Sequence, residues 1–292
     1  MSAITHLPLG AYTIYGASLG GLYTSLHIPE LDSLFDVGIP IRRAALASRL
    51  FLSHAHLDHL GSLPALLGMR GMFGGGDRPL DLYCPRGVEG HLEGALQLLS
   101  ELHSWPLKVN LHPMEAGEER QLKRQLWVKA LPTYHPVPSL GYLLFERVAK
   151  LHPDYHGRSG EELKELKRAG IEIHQRVDRP KVAYLTDTLP EALRASPEAL
   201  DAEILILECT FVGEKKGVKI ARAGCHIHLD ELMEWAPQMR NKSVVLMHFS
   251  QVHQPDALRA LFTERLGPIL GDRLHLLLPQ GDDEKRGDGW WI

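Results

Sequence analysis

The sequence has little of what marks a secreted, membrane-spanning or disordered chain. Its three cysteines, Cys84, Cys209 and Cys225, are an odd number without CxxC spacing, which argues against a disulfide framework and suits a reducing compartment. No apolar run approaches the roughly 18 residues that a membrane span needs. The start, MSAITHLPLG, has no charged region followed by a long apolar one, so no secretory signal is expected. These absences lead us to expect a cytoplasmic protein with no membrane partner. A strong charge of one sign is also missing: the net charge is −4, so a nucleic-acid partner would have to be met by a local basic patch. Neither an internal repeat nor a Ser/Gly linker is visible, and residues 1–292 are expected to form a single domain. The Gly74-Gly75-Gly76 run has no GK[ST] after it and reads as a turn rather than a phosphate loop.

Short β-type runs recur instead, at Ala11–Tyr15, Leu22–Ile28, Leu50–Ser53, Leu80–Tyr83, Leu126–Leu131, Tyr142–Phe145, Lys181–Leu185, Ile204–Leu207, Ser243–Met247 and Leu274–Leu278. Helical patterns fall between several of them. Val88, Leu92, Ala95, Leu96 and Leu99 make one apolar face over Val88–His103, and Asp256–Leu266 is bracketed by Pro255 and Gly267. Strands followed by alternating strands and helices predict a layered α/β fold. Residues 146–180, with the pattern GEELKELKRAG, read as a short arm or insert.

The most informative stretch is FLSHAHLDHLG at Phe51–Gly61, where His54, His56, Asp58 and His59 follow an apolar strand directly. At a strand-to-helix turn neighbouring side chains diverge, so His54 and His56 can serve one metal while Asp58 and His59 serve a second. Imidazole and carboxylate donors are those of a catalytic zinc site, whereas a structural site would favour cysteine; the same donors accept manganese or iron. His135, Asp187 and His248 each follow a predicted strand, where sites in layered α/β proteins collect, and complete the candidate donor set for two divalent metals. Two metals can acidify a water and stabilise charge on a scissile phosphate, with Asp58 as acceptor of the water proton. Arg42 and Arg43 before the motif, and Lys215, Lys216 and Lys219 further on, are candidate phosphate contacts.

With these segments in place, the chain resembles the metallo-β-lactamase fold hydrolases and, within them, the ribonuclease Z family of transfer-RNA 3′ processing endonucleases. The resemblance runs through FDVG at Asp36, SHAHLDHLGSLPALL, PLDLYCPRGVE, the histidine before PSLGY, YLTDT, ILECTF, GCHIHLDE and LMHFS. It implies a four-layer αββα sandwich in which His54, His56 and His135 hold one zinc, Asp58, His59 and His248 hold the other, and Asp187 bridges. Asp36 is implied to support the ligand loop. It further implies that Glu208 pairs with His226, which protonates the leaving oxygen, a sound arrangement because a carboxylate fixes the ring's tautomer and raises its basicity. The implied partners are RNA, including a tRNA precursor, or a small phosphodiester, and a second copy in a homodimer. Residues 146–180 contain no Gly-Pro pair, unlike the long arm of that family, which implies a weaker grip on folded tRNA. His228 has no match and receives no role.

Overall fold

The structure, a computed structural model, describes residues 4–75, 78–213 and 216–278. Two seven-stranded sheets are built in chain order. The first runs β1 (Thr5–Leu9), β2 (Tyr12–Leu19), β3 (Tyr23–Ile28), β4 (Ser33–Phe35), β5 (Arg49–Phe51), β6 (Leu80–Pro85) and β7 (Val109–Met114). The second runs from β8 (Glu119–Gln121) through β9 (Leu126–Pro132), β10 (Leu140–Leu151), β11 (His174–Leu185), β12 (Ile204–Glu208) and β13 (Ser243–Met247) to β14 (Leu274–Leu276). Each sheet is antiparallel over its first four strands and parallel over the rest.

Alternation along the strands makes the layers. Ile14, Leu26, Phe35 and Phe51 of the first sheet face Tyr142, Tyr184, Ile206, Val245 and Met247 of the second in one buried cluster, with Phe35 stacked on Phe51 at 5.4 Å and tilted against Tyr184 at 5.0 Å. The outer face of the first sheet is covered by α2 (Leu63–Arg70) and α3 (Glu89–His103), reached through the single turn α1 (Leu57–Leu60). The helix α4 (Gly160–Arg168) belongs to the arm described below. Beyond it, α5 (Glu191–Ala195), α7 (Leu229–Trp235) and α8 (Pro255–Leu270) cover the second sheet, with α6 (Val218–Ala223) between α5 and α7 in the chain. The architecture is the expected αββα sandwich.

The β10–β11 pair extends past the sheet from Arg147, with exposed and half-buried residues, and carries α4. No residue of α4 is buried, so local devices hold it: Ser159 and Glu162 form a capping box at its start. The expected helix end at Leu266 falls short, because Leu266 and Leu270 are both buried and carry α8 through Gly267 and Pro268.

Parallel strands aim their C-terminal ends the same way. The loops after β4, β5, β11, β12 and β13 therefore meet at one edge of the sandwich, and the β9–β10 loop joins them.

Candidate metal centre and active site

The FDVG turn grips the histidine loop. Val37 N–H donates to His59 O at 2.6 Å, and a Cβ on Gly38 would lie 1.9 Å from Asp58 O, so only glycine lets the two backbones touch. From the second sheet, Tyr142 OH donates to Leu52 O at 2.7 Å and Leu140 N–H to Ser53 O at 2.9 Å. The loop carrying His54, His56, Asp58 and His59 is thus held from both sheets.

The ligand-type side chains converge in two groups that share one member. His54, His56, His135 and Asp187 form the first, and Asp58, His59, Asp187 and His248 the second, with the donor atoms of each group within 4.8 Å of one another. Asp187 offers one oxygen to each: Oδ2 is 3.7 Å from His54 Nε2, while Oδ1 is 3.4 Å from His59 Nε2 and 3.3 Å from His248 Nε2. Asp58 Oδ2 lies 3.5 Å from His59 Nε2 and 3.7 Å from His248 Nε2. Asp36, Asp187 and His248 have φ of 53°, 45° and 61°, a region non-glycine residues seldom enter, which turns each side chain inward at the end of its strand.

A second layer of hydroxyls sets the imidazole tautomers. Asp36, fully buried, accepts from Ser53 N–H, Ser53 Oγ–H and His59 Nδ1–H at 2.7 Å each and from Tyr184 O–H at 2.5 Å. Because the Ser53 proton goes to Asp36, its oxygen accepts from His54 Nδ1–H at 3.0 Å. The same relay recurs across the site. Glu208 accepts the Thr210 hydroxyl proton at 2.5 Å, and Thr210 Oγ1 accepts from His248 Nδ1–H at 3.0 Å. In all three rings Nδ1 is committed, which leaves Nε2 as the nitrogen that faces the centre.

The donor chemistry fits divalent cations. Burial, then the neighbouring imidazoles, lower His54 to about 2 and keep it neutral, the ligating form. Burial opposes charge on Asp58 and Asp187, yet the surrounding His248 and His59 rings hold both carboxyls far below the usual range. Burial also opposes protonation of His59, but Asp187 and Asp36 outweigh it. The centre is therefore a buried negative field that favours positive charge.

Beside it, Glu208 Oε1 accepts from His226 Nδ1–H at 3.0 Å and from Thr188 N–H at 2.8 Å. Burial works against the His226 cation, but the charge and hydrogen bond of Glu208 push the ring up to about 9. His226 lies near the candidate ligand imidazoles, with centroids 5.5 Å from His248 and 6.0 Å from His135.

Among the basic candidates, Lys216 lines a cavity of about 450 Å³ beside His226 and His248. Lys219 is exposed on α6, and Lys215 lies outside the described residues. Arg42 rests over Phe73 at 5.4 Å and Arg43 over Tyr15 at 4.0 Å. His228 caps α7, its Nδ1 accepting from Asp230 N–H at 3.1 Å. Ser53, Tyr184, Thr188 and Thr210 were not singled out from the sequence.

Residues 35–249 match the beta-lactamase superfamily domain. The chain is 35% identical over 246 residues to tRNase Z TRZ1 of Arabidopsis thaliana, covering 84% of this chain and 87% of that protein. It is 33% identical over 253 residues to the chloroplastic tRNase Z TRZ2 of the same plant, covering 86% and 71%. Among solved structures, the short form of human tRNase Z superposes with a TM-score of 0.52 at 18% identity, covering 94% of this chain and 93% of that one. The Bacillus subtilis metallo-beta-lactamase fold protein YhfI does so with a TM-score of 0.59 at 15% identity, covering 89% and 93%. These two likenesses speak to the fold. Among the described residues no helix is long and apolar enough to cross a membrane.

Proposed function

This chain belongs to the tRNase Z family of the beta-lactamase superfamily, and from that premise we propose that it is a dinuclear metal-dependent phosphodiesterase that cleaves RNA, tRNA precursors among its substrates. The observation that carries the reading is Asp187, one oxygen turned to each donor group, with the Glu208–His226 pair beside them. His54, His56 and His135 would hold one cation, Asp58, His59 and His248 the other, and Asp187 both. Zinc is the proposed ion for a set of imidazoles and carboxylates without cysteine. Two such cations supply Lewis acidity, polarising a phosphoryl oxygen and acidifying water.

The chain's own groups do the rest. Asp58 stays ionised, with Oδ2 anchored by Gly21 N–H at 3.2 Å, and accepts a proton from the attacking water. As the water oxygen bonds to phosphorus and the phosphorus–oxygen bond opposite breaks, the leaving oxygen takes a proton from His226 Nε2. That nitrogen carries one at neutral pH because Glu208 holds Nδ1–H and favours the charged ring.

The test is metal analysis of the purified protein, followed by cleavage mapping on a 3′-extended tRNA precursor and turnover of bis(p-nitrophenyl) phosphate. Cleavage of the precursor near its 3′ extension is the expected result. A metal-loaded protein that cuts neither substrate overturns the reading, and one that cuts only the small diester overturns its RNA part.

A further inference from the structure

The cavity beside His226 has a floor that neither the metal donors nor the proton donor uses. Phe211 is half-buried at its base. Its backbone is pinned: Phe211 N–H donates to Ile227 O and Leu229 N–H donates to Phe211 O at 2.8 Å, so the main chain that carries the ring is fixed on both sides. The ring meets His226 edge-on, centroids 5.8 Å apart and planes at 69°. Lys216, itself exposed, holds its ammonium 5.4 Å from the Phe211 centroid. An ammonium over an aromatic ring shows that this face opens to solvent rather than to the core. Val252, 60% exposed, adds an apolar wall, and the volume of about 450 Å³ lies within the range of about 300–1,000 Å³ of small-ligand sites.

We propose that Phe211 and Lys216 form a subsite for the nucleotide that carries the leaving oxygen, the base stacking on Phe211 and the ammonium pairing with an adjoining phosphate. The inference rests on the ribonuclease reading above. Its logic is positional. The leaving oxygen must sit at His226 Nε2 to be protonated, so the nucleoside attached to it lies against whatever neighbours His226. That neighbour is an aromatic face with a movable cation. A base has a π-face of any sequence and stacks on such a ring without base-specific hydrogen bonds, while the exposed cation–π contact is weak enough for the base to displace. The freed lysine then meets backbone charge, which is where flexible ammonium groups bind RNA. The subsite therefore contributes affinity and placement but little sequence preference.

The experiment compares two synthetic RNAs cut at one mapped bond, identical except that one is abasic at the nucleotide whose fragment ends in the free hydroxyl. For the metal-loaded wild type, kcat/KM should fall about tenfold or more on the abasic RNA, within the span of one base–aromatic stack. Phe211→Leu should lose a similar factor on the intact RNA, and at least fivefold less than that on the abasic one. Phe211→Tyr should retain most of the wild-type rate on the intact strand. In parallel, calorimetry on the protein as purified should show tighter binding of adenosine monophosphate than of ribose 5-phosphate, with the difference shrinking in Phe211→Leu. Equal losses on the two RNAs in Phe211→Leu overturn the subsite. So does a wild type that cuts both RNAs equally well, a result that stands even where Phe211→Leu does not fold. A wild type that cuts neither RNA overturns the ribonuclease reading and the subsite with it.

Discussion

Thr210 offers a sharp test of the hydroxyl relay, because one oxygen atom serves three partners. Its Oγ1 donates to Glu208 Oε2 at 2.5 Å and lies 3.0 Å from His248 Nδ1 and 3.3 Å from His226 Nδ1. Thr210→Val keeps the shape and removes the hydroxyl. His248 Nδ1–H then loses its acceptor, and the ring can adopt the tautomer that turns a proton toward the metal donors. Glu208 Oε2 retains the Thr210 N–H bond at 3.2 Å, and Oε1 retains Thr188 and His226. The loss therefore falls on His248 and leaves His226 paired. Leaving a buried donor without its acceptor costs about 1–3 kcal/mol, which is in line with the roughly 10- to 100-fold in metal affinity expected for a group that orients a ligand. Competition with a chromophoric chelator should show that loss for one of two metals in Thr210→Val, with Thr210→Ser close to wild type. Unchanged affinity for both metals in Thr210→Val would refute the relay.

Other outcomes follow from the same geometry. His54→Ala and Asp187→Ala should each lower metal content by elemental analysis and abolish turnover; full occupancy in both would remove them as ligands. His226→Ala should keep both metals and lose about 10²–10⁴ in turnover, and full activity would exclude it as the acid. Changing Lys215, Lys216 and Lys219 to Ala should weaken RNA binding and flatten its salt dependence, while barely altering hydrolysis of a small diester; equal loss on both substrates would mean that the lysines support the fold. His27, 5% exposed, is lowered by burial and by Arg43 to about 4. The unfolded chain takes up the proton first, so stability is full above about pH 6.5 and falls as pH drops toward 4. The loss is at most about 3 kcal/mol, and His27→Leu should flatten the acid limb of a urea-unfolding series; an unchanged limb would exclude His27 as its source.

Much of the fold was legible because apolar runs announce strands that are buried on both faces. Those that escaped have a common reason. β1 and β7 carry Pro8 and Pro113 inside their runs, which demotes a segment read from sequence, and both lie at the edges of the first sheet, where a missing N–H costs nothing in the ladder. β8 is a polar three-residue edge of the second sheet, and β4 is three residues inside a turn-rich stretch. Edge position and half-exposed faces hid β1, β7 and β8, and brevity hid β4. The arm was visible as a compositional shift, but its strands were not, since the outer halves of β10 and β11 mix polar, charged and apolar residues without a buried face to reveal them.

The candidate donors were legible for a different reason: histidines and aspartates at strand ends carry chemistry wherever they point. Ser53, Thr210 and Tyr184 do not, because a hydroxyl acquires a role only from what lies across the fold. Tyr184 meets Asp36 over 148 positions. Ser53 and Thr210 are close in sequence to His54 and Glu208, yet nothing in SHAH or ECTF separates them from ordinary turn residues. The structure gives them matching positions: carboxylate, hydroxyl and imidazole run Asp36–Ser53–His54 in one sheet's loops and Glu208–Thr210–His248 in the other's. The two lines differ in what else the carboxylate does. Asp36 spends its remaining capacity on His59 and Tyr184, all buried, and so can only orient. Glu208 spends its own on His226, which opens onto the cavity, so the carboxylate that orients a ligand also charges the proton donor. This arrangement ties the proton donor to the metal centre through one residue, and it predicts that Glu208→Gln, which keeps an acceptor but removes the charge, should impair proton delivery more than metal retention. Metal content near wild type with a steep fall in turnover would bear this out, and loss of metal in step with activity would show that the charge matters first for His248.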